Sequence, residues 1–219
     1  MIPLSFGNGS GAPRRALFIG AHSDDIEIGC GGTVLRLLEW NPALEVRWIV
    51  LSGNEERERE ARCGASLFLA SCARAEVSVH RFRDGFFPYD GGEIKDFFET
   101  LKHEAAPDVI FTHSREDRHQ DHRIVSELTW NTFRNHTVLE YEIPKYDGGL
   151  GTPNLFVPID DATRARKVDY LLRAFASQRN RGWFTDETFS GLMRLRAVES
   201  GLTESFAEGF HAKKLVLGL

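Results

Sequence analysis

A chain of 219 residues, 42% hydrophobic and 27% charged, has enough apolar material for the core of one soluble α/β domain. Its formal net charge of −5 speaks against a nucleic-acid partner, which needs a basic excess. No apolar run approaches the ~20 residues of a membrane span, and residues 1–5 lack the charged start of a secretory signal. A cytoplasmic protein with no transmembrane segment is therefore expected. The three cysteines, Cys30, Cys63 and Cys72, form no C-x-x-C pair and read as small buried apolar residues in a reducing compartment.

Residues 1–14, with a Gly/Ser/Pro-rich run over 7–13, read as a flexible lead, and 15–219 as a single domain. A strand is predicted over 16–20, where Ala16-Leu17-Phe18-Ile19-Gly20 is apolar throughout, as befits a strand covered on both faces. A helix over 29–40 follows, then a strand over 44–51, and Asn54 caps a charged helix over 55–73. Alternation predicts a strand over 77–82, followed by a helix over 92–105, a buried strand over 108–112, a helix over 122–133 and a strand over 138–143. The tail adds a strand over 155–157 and helices over 161–177 and 186–200. This alternation predicts a Rossmann-like, doubly wound α/β fold, with a mostly parallel sheet and helices on both faces. The ligand site of such a fold lies at the C-terminal ends of the strands.

Two polar clusters stand at such strand ends. The first strand runs into Ala21-His22-Ser23-Asp24-Asp25, and Val109-Ile110-Phe111-Thr112 runs into His113 and then His119-Gln120-Asp121-His122-Arg123. A catalytic zinc takes three ligands from His, Asp, Glu or Cys and leaves a position for water. His22 and Asp25, three apart in a turn, can face one ion, and His122 can complete the set. Asp24 is then placed as the base that takes a proton from water. His119 can present its ring to the oxyanion or the leaving amine, and Asp121 can fix a histidine tautomer by hydrogen bonding. Zn2+ suits two histidines and one aspartate, and Fe2+, Co2+ or Mn2+ fit the same ligands.

Ala-His-Ser-Asp-Asp-x-x-x-Gly-Cys-Gly-Gly-Thr, paired with His-Gln-Asp-His-Arg, resembles the PIG-L/LmbE-like deacetylase family, whose usual signatures are (Pro/Ala)-His-Pro-Asp-Asp and His-Pro-Asp-His. Arg57-x-x-Glu60-Ala61 resembles the family's Arg-x-x-Glu segment. Ser177-Gln178 and Ala207-Glu208-Gly209-Phe210 resemble the tail of its bacterial sugar-modifying branch. The resemblance implies a zinc hydrolase that removes the N-acetyl group from an N-acetylglucosaminyl or related amino-sugar conjugate. It implies metal binding by His22, Asp25 and His122, a base at Asp24, transition-state stabilisation or acid catalysis by His119 in its protonated form, and a substrate contact at Arg57. Ser23 and Gln120 replace the usual prolines. Ser23, which adds a hydroxyl, and His113, at the strand end, are placed with Arg57 on the substrate side.

Other readings compete. The glycines of Gly29-Cys30-Gly31-Gly32-Thr33 suggest a phosphate loop but lack both nucleotide-motif spacings, so close helix–strand packing explains them better. Phe86-Phe87-Pro88-Tyr89 reads as core packing or, more sharply, as a sugar-stacking wall. Another metal-dependent amidohydrolase or a phosphoesterase could use the same ions, although a two-metal phosphatase would need more bridging carboxylates. Exposed strand edges and tail helices are compatible with a homo-oligomer.

Overall fold

A computed structural model of the chain describes residues 12–104 and 106–216; most of the expected N-terminal lead lies outside them. Among the described residues, seven strands form one sheet in the order β3-β2-β1-β4-β5-β7-β6. They are β1 (Arg15–Gly20), β2 (Glu45–Val50), β3 (Arg74–Val79), β4 (Val109–His113), β5 (Thr137–Tyr141), β6 (Leu155–Ile159) and β7 (Phe206–His211). The first five pair in parallel, and β7 runs antiparallel between β5 and β6.

Among the described residues, six α-helices cover the sheet: α1 (Asp25–Trp40), α2 (Glu55–Phe68), α3 (Gly91–Glu104), α4 (Gln120–Thr132), α5 (Asp161–Ala174) and α6 (Asp186–Ser200). Alternation along β1 divides the core. Ala16 and Phe18 join Trp48, Phe68, Phe111 and Phe175 on one face, while Leu17 and Ile19 join Ile49, Phe98, Ile110 and Phe133 on the other. Helix α1 covers the first face and α4 the second. The chain thus leaves β1 and β4 in opposite directions, and the crevice between their carboxyl ends is where ligands bind in open α/β sheets. No helix among the described residues is long and apolar enough to cross a membrane.

Several elements depart from the sequence expectation for identifiable reasons. Strand β3 begins three residues early, because Arg74 pairs with Glu45 on the ladder. Its Arg-Ala-Glu start is exposed on an edge strand, so no apolar alternation marks it. Helix α2 correspondingly stops at Phe68, and Cys63 is exposed on it while only Cys30 is buried. Strand β7 was not expected, since Glu208 and Gly209 at its centre are poor strand formers. Pro158 sits in β6, the opposite edge, where a missing N–H is tolerated.

The glycines after the first cluster serve close packing. A Cβ at Gly29 would lie 2.3 Å from Tyr141 Cδ2, and one at Gly31 would lie 2.5 Å from Phe68 Cε1. Gly29→Ala is expected to destabilise the chain by about 1–3 kcal/mol, the usual range for overpacking a filled core. Urea unfolding measures it, and parental stability would show that the Tyr141 ring yields.

Candidate active site

His22 follows β1 in a tight turn, in which its amide donates to Asp25 Oδ2 at 2.6 Å. Asp24 caps α1, and Asp25 is the helix's first residue. Across the crevice, His119 caps α4, and Asp121 and His122 lie in that helix's first turn. The three residues expected to bind metal do meet. His22 Nδ1 is 3.1 Å from His122 Nε2 and 3.3 Å from Asp25 Oδ2, and His122 Nε2 is 3.4 Å from Asp25 Oδ1. Tetrahedral ligands at bond lengths of about 2.0–2.1 Å lie roughly 3.3–3.4 Å apart, a spacing close to that of each of these pairs, with the two Asp25 oxygens facing one histidine each. The sets His22–His119–His122 and Asp25–His113–His122 also bring donor atoms within reach of a common centre.

The other nitrogen of each ligand histidine is held by carboxylates. His22 Nε2 lies 3.2 Å from Asp121 Oδ2 and 3.1 Å from Asp84 Oδ1. His122 Nδ1 lies 3.0 Å from Asp117 Oδ2, which also accepts from Lys145 Nζ at 2.5 Å. An imidazole that donates one N–H to a carboxylate turns its other lone pair toward the centre, the usual arrangement behind metal-bound histidines. Asp121 is fully enclosed and also accepts from the amides of Gly85 and Phe87, at 2.6 and 3.2 Å. It therefore orients His22 and anchors the 85–87 loop, with no surface left for a substrate.

The charges follow from this crowding. Burial opposes ionisation of Asp25, but His122, His113 and His22 outweigh it and hold the carboxyl well below its ordinary range. Burial likewise opposes charge on His22, yet Asp25, Asp121 and Asp84 raise its pKa well above that of a free imidazole. Asp24 is raised, chiefly by burial and further by Asp25, against the pull of Arg57, whose Nη2 lies 2.9 Å away.

Four of the expected site residues have the following surroundings. His119 is lowered by burial and by His122 and His22, so the ring is pushed toward its neutral form rather than the protonated one expected. Its Nδ1 accepts from the Asp121 amide at 3.3 Å, which places the neutral ring's proton on Nε2. His113 is fully buried, its pKa lowered to about 4 by burial and by His122. Its Nε2 faces the Ala21 amide at 3.0 Å and Asp25 Oδ2 at 3.2 Å, so it backs Asp25 and cannot meet a substrate. The Ser23 hydroxyl also points inward, 3.4 Å from the Ser52 carbonyl, with 1% of the residue exposed. Arg57 reaches the site through Asp24, and its other contacts are Glu60 at 2.6 Å, Ser177 Oγ at 3.4 Å and the face of Phe175.

Sequence reasoning missed Asp117, Lys145 and Asp84. Asp117 could have been found, since Asp117, His119 and Asp121 alternate just before His122. Lys145 and Asp84 carry no such local signal. Of the aromatic run, Phe87 is buried, while Phe86 and Tyr89 are exposed beside the site.

Solved structures that share this fold include the following three. One is a conserved protein from Thermus thermophilus, 23% identical, with 93% of this chain and 96% of that chain covered and a TM-score of 0.74. Another is N,N'-diacetylchitobiose deacetylase from Pyrococcus horikoshii, 21% identical, covering 94% and 86%, with a TM-score of 0.72. A third is GalB, the 4-carboxy-2-hydroxymuconate hydratase from Pseudomonas putida, 16% identical, covering 94% and 98%, with a TM-score of 0.72. The family model described as PIG-L: GlcNAc-PI de-N-acetylase matches residues 17–133, more than half of the chain. Because that stretch holds both strand ends and every side chain drawn around Asp25, the chain belongs to the PIG-L family.

Proposed function

We propose that this chain is a zinc-dependent hydrolase that removes the N-acetyl group from an amino-sugar conjugate. The observation that carries the reading is the pair of carboxylate-backed histidines, His22 and His122, facing Asp25 with Asp24 alongside. The family match and the chitobiose deacetylase neighbour favour an acetylated amino sugar as the substrate class. The free cysteines fit a reducing compartment, so a cytoplasmic setting belongs to the same reading.

His22, Asp25 and His122 would hold the ion, which when bound supplies a Lewis acid for the acetyl carbonyl and an acidified water. Asp24 takes a proton from that water and returns it to the leaving nitrogen, so that amide and water become acetate and amine. Arg57 fixes the Asp24 carboxylate against rotation. His119 donates its Nε2 proton as a hydrogen bond to the developing oxyanion, an interaction worth about 2.7–4 kcal/mol per donor in comparable sites. Asp117 and Lys145 keep His122 turned inward.

One finding supports a second reading. The hydratase neighbour matches as well as the deacetylase by TM-score, so this fold also serves enzymes that add water to other bonds. Amine release from N-acetylglucosamine, diacetylchitobiose and N-acetylglucosaminyl conjugates separates the two. Activity is expected to vanish with a chelator and return with zinc, whereas silence across the panel with zinc bound would favour the second reading.

Asp24→Ala should retain zinc and lose about 10²–10⁴-fold in kcat, the usual contribution of a positioned base; near-parental turnover would remove Asp24 from that role. His22→Ala should lose the metal itself, which elemental analysis reads directly. Asp117→Asn should weaken zinc binding about 10–100-fold, as loss of a histidine's carboxylate partner typically does. Chelator competition measures this, and unchanged affinity would mean that His122 needs no anion behind it.

A further inference from the structure

Helix α1 is broken at Cys30, whose φ of −145° and ψ of 19° leave the helical region. In an unbroken helix the Gly32 amide would donate to the Ile28 carbonyl and the Thr33 amide to that of Gly29. Here both amides turn to Glu208. Gly32 N donates to Oε1 at 2.8 Å, and Thr33 N and Oγ1 each donate to Oε2 at 2.6 Å. The Ile28 carbonyl accepts from Lys167 Nζ at 2.6 Å, and the same ammonium donates to Glu208 Oε1 at 2.6 Å. An ion pair from α5 and β7 is thus inserted between the two halves of one missing helical rung. A side chain entering the backbone ladder is a recognised cause of a sharp kink.

The turn held by this wedge, over 25–29, is the one that begins with Asp25 and is capped by Asp24. Its Ile28 amide donates to the Asp24 carbonyl at 3.0 Å, and its far end lies against Tyr141 through Gly29. Local stability does not explain such a design. Three glycines within a few residues weaken a helix, and burying a Lys–Glu pair is often no more stable than an apolar replacement. Lys167 and Glu208 are 2% and 3% exposed. A Cβ at Gly32 would meet Glu208 Oε1 and Ile159 Cδ1 at 2.9 Å each, so the glycine is there to admit the carboxylate. The glycine-rich run does cradle an anion, and the anion is the chain's own Glu208.

We propose that Lys167 and Glu208 are positioning residues for the metal site, which fix the angle of the 25–29 turn and thereby the placement of Asp24 and Asp25. The inference rests on the reading of Asp25 as a metal ligand. Both residues lie beyond the 17–133 stretch matched by the family model, so the tail of the chain takes part in shaping a centre whose ligands all precede it.

The test uses the full chain and zinc as the probe. In Glu208→Gln, zinc affinity by chelator competition is expected to fall about tenfold or more, toward the loss seen when a ligand's support is removed. Hydrogen exchange at the Ile28 amide of the metal-free protein is expected to quicken at the same time. Should that variant fail to fold, Lys167→Met/Glu208→Gln, which leaves no unpaired buried charge, is read in the same way. The control is Glu142→Gln/Arg196→Met, a similarly buried pair joined at 2.8 Å and set between β5 and α6 rather than in the break of α1. It should lower the unfolding midpoint and leave zinc affinity unchanged. Unchanged affinity and exchange in the Glu208 variant, or an equal loss of affinity in the control, would overturn the proposal. A parental chain that binds no zinc would overturn the metal reading itself, and is told apart because the parent and every variant would then fail alike.

Discussion

Asp25 is a carboxylate with almost no exposed surface, and much of the surrounding architecture answers that fact. An isolated buried charge is prohibitively unfavourable, so the fold must bring donors or cations to it. It brings the His22 amide from the same turn and His122 from the start of α4, with the His113 ring at the end of β4 packed against the same carboxylate. Those groups can converge only because β1 and β4 are neighbours at the point where the sheet changes winding direction. With three imidazoles packed about one anion, and two of them turned outward to further carboxylates, the centre alternates acceptor and donor shells. Donor atoms of Asp25, His113 and His122, and of His22, His119 and His122, come close enough there to hold a metal ion between them.

The same constraint explains the rim. Asp121 accepts from the amides of Gly85 and Phe87, while Asp117 accepts from Lys145 at the start of the 145–151 loop. Gly149 of that loop has a positive φ of 92° and sits close against Arg118, beside His119. Each rim loop is therefore bonded to a carboxylate that orients a central histidine. The loops beside the crevice and the central histidines therefore share supports.

The strand ends were legible in the sequence because short, wholly apolar runs broke abruptly into polar clusters, and a parallel sheet puts such breaks on one edge. The meeting of His22, Asp25 and His122 followed from residue type, spacing and the order of the strands. Direction did not follow. His113 and Ser23 adjoin the site in sequence, yet both face inward, because the position of a residue in a turn does not say which side of the backbone its side chain takes. Asp117 was visible as part of an alternation, but its partner Lys145 lies 28 residues away, and only the fold pairs them. Strand β7 was hidden because its central Glu208 and Gly209 answer to α1 and to Pro153 rather than to strand propensity.

That last case bears on how a fold of this type diversifies. A doubly wound sheet ordinarily offers the amides after its first strand to a ligand phosphate. Here the His22 amide donates to Asp25, and the Gly32 and Thr33 amides at the break of α1 donate to Glu208, so the glycine-rich run is already occupied by internal carboxylates. The nucleotide reading of the glycine-rich run fails for that physical reason and not merely for want of a motif. With that run occupied, the remaining open chemistry at the crevice is the lone pairs of His22 and His122 and the carboxylate of Asp24.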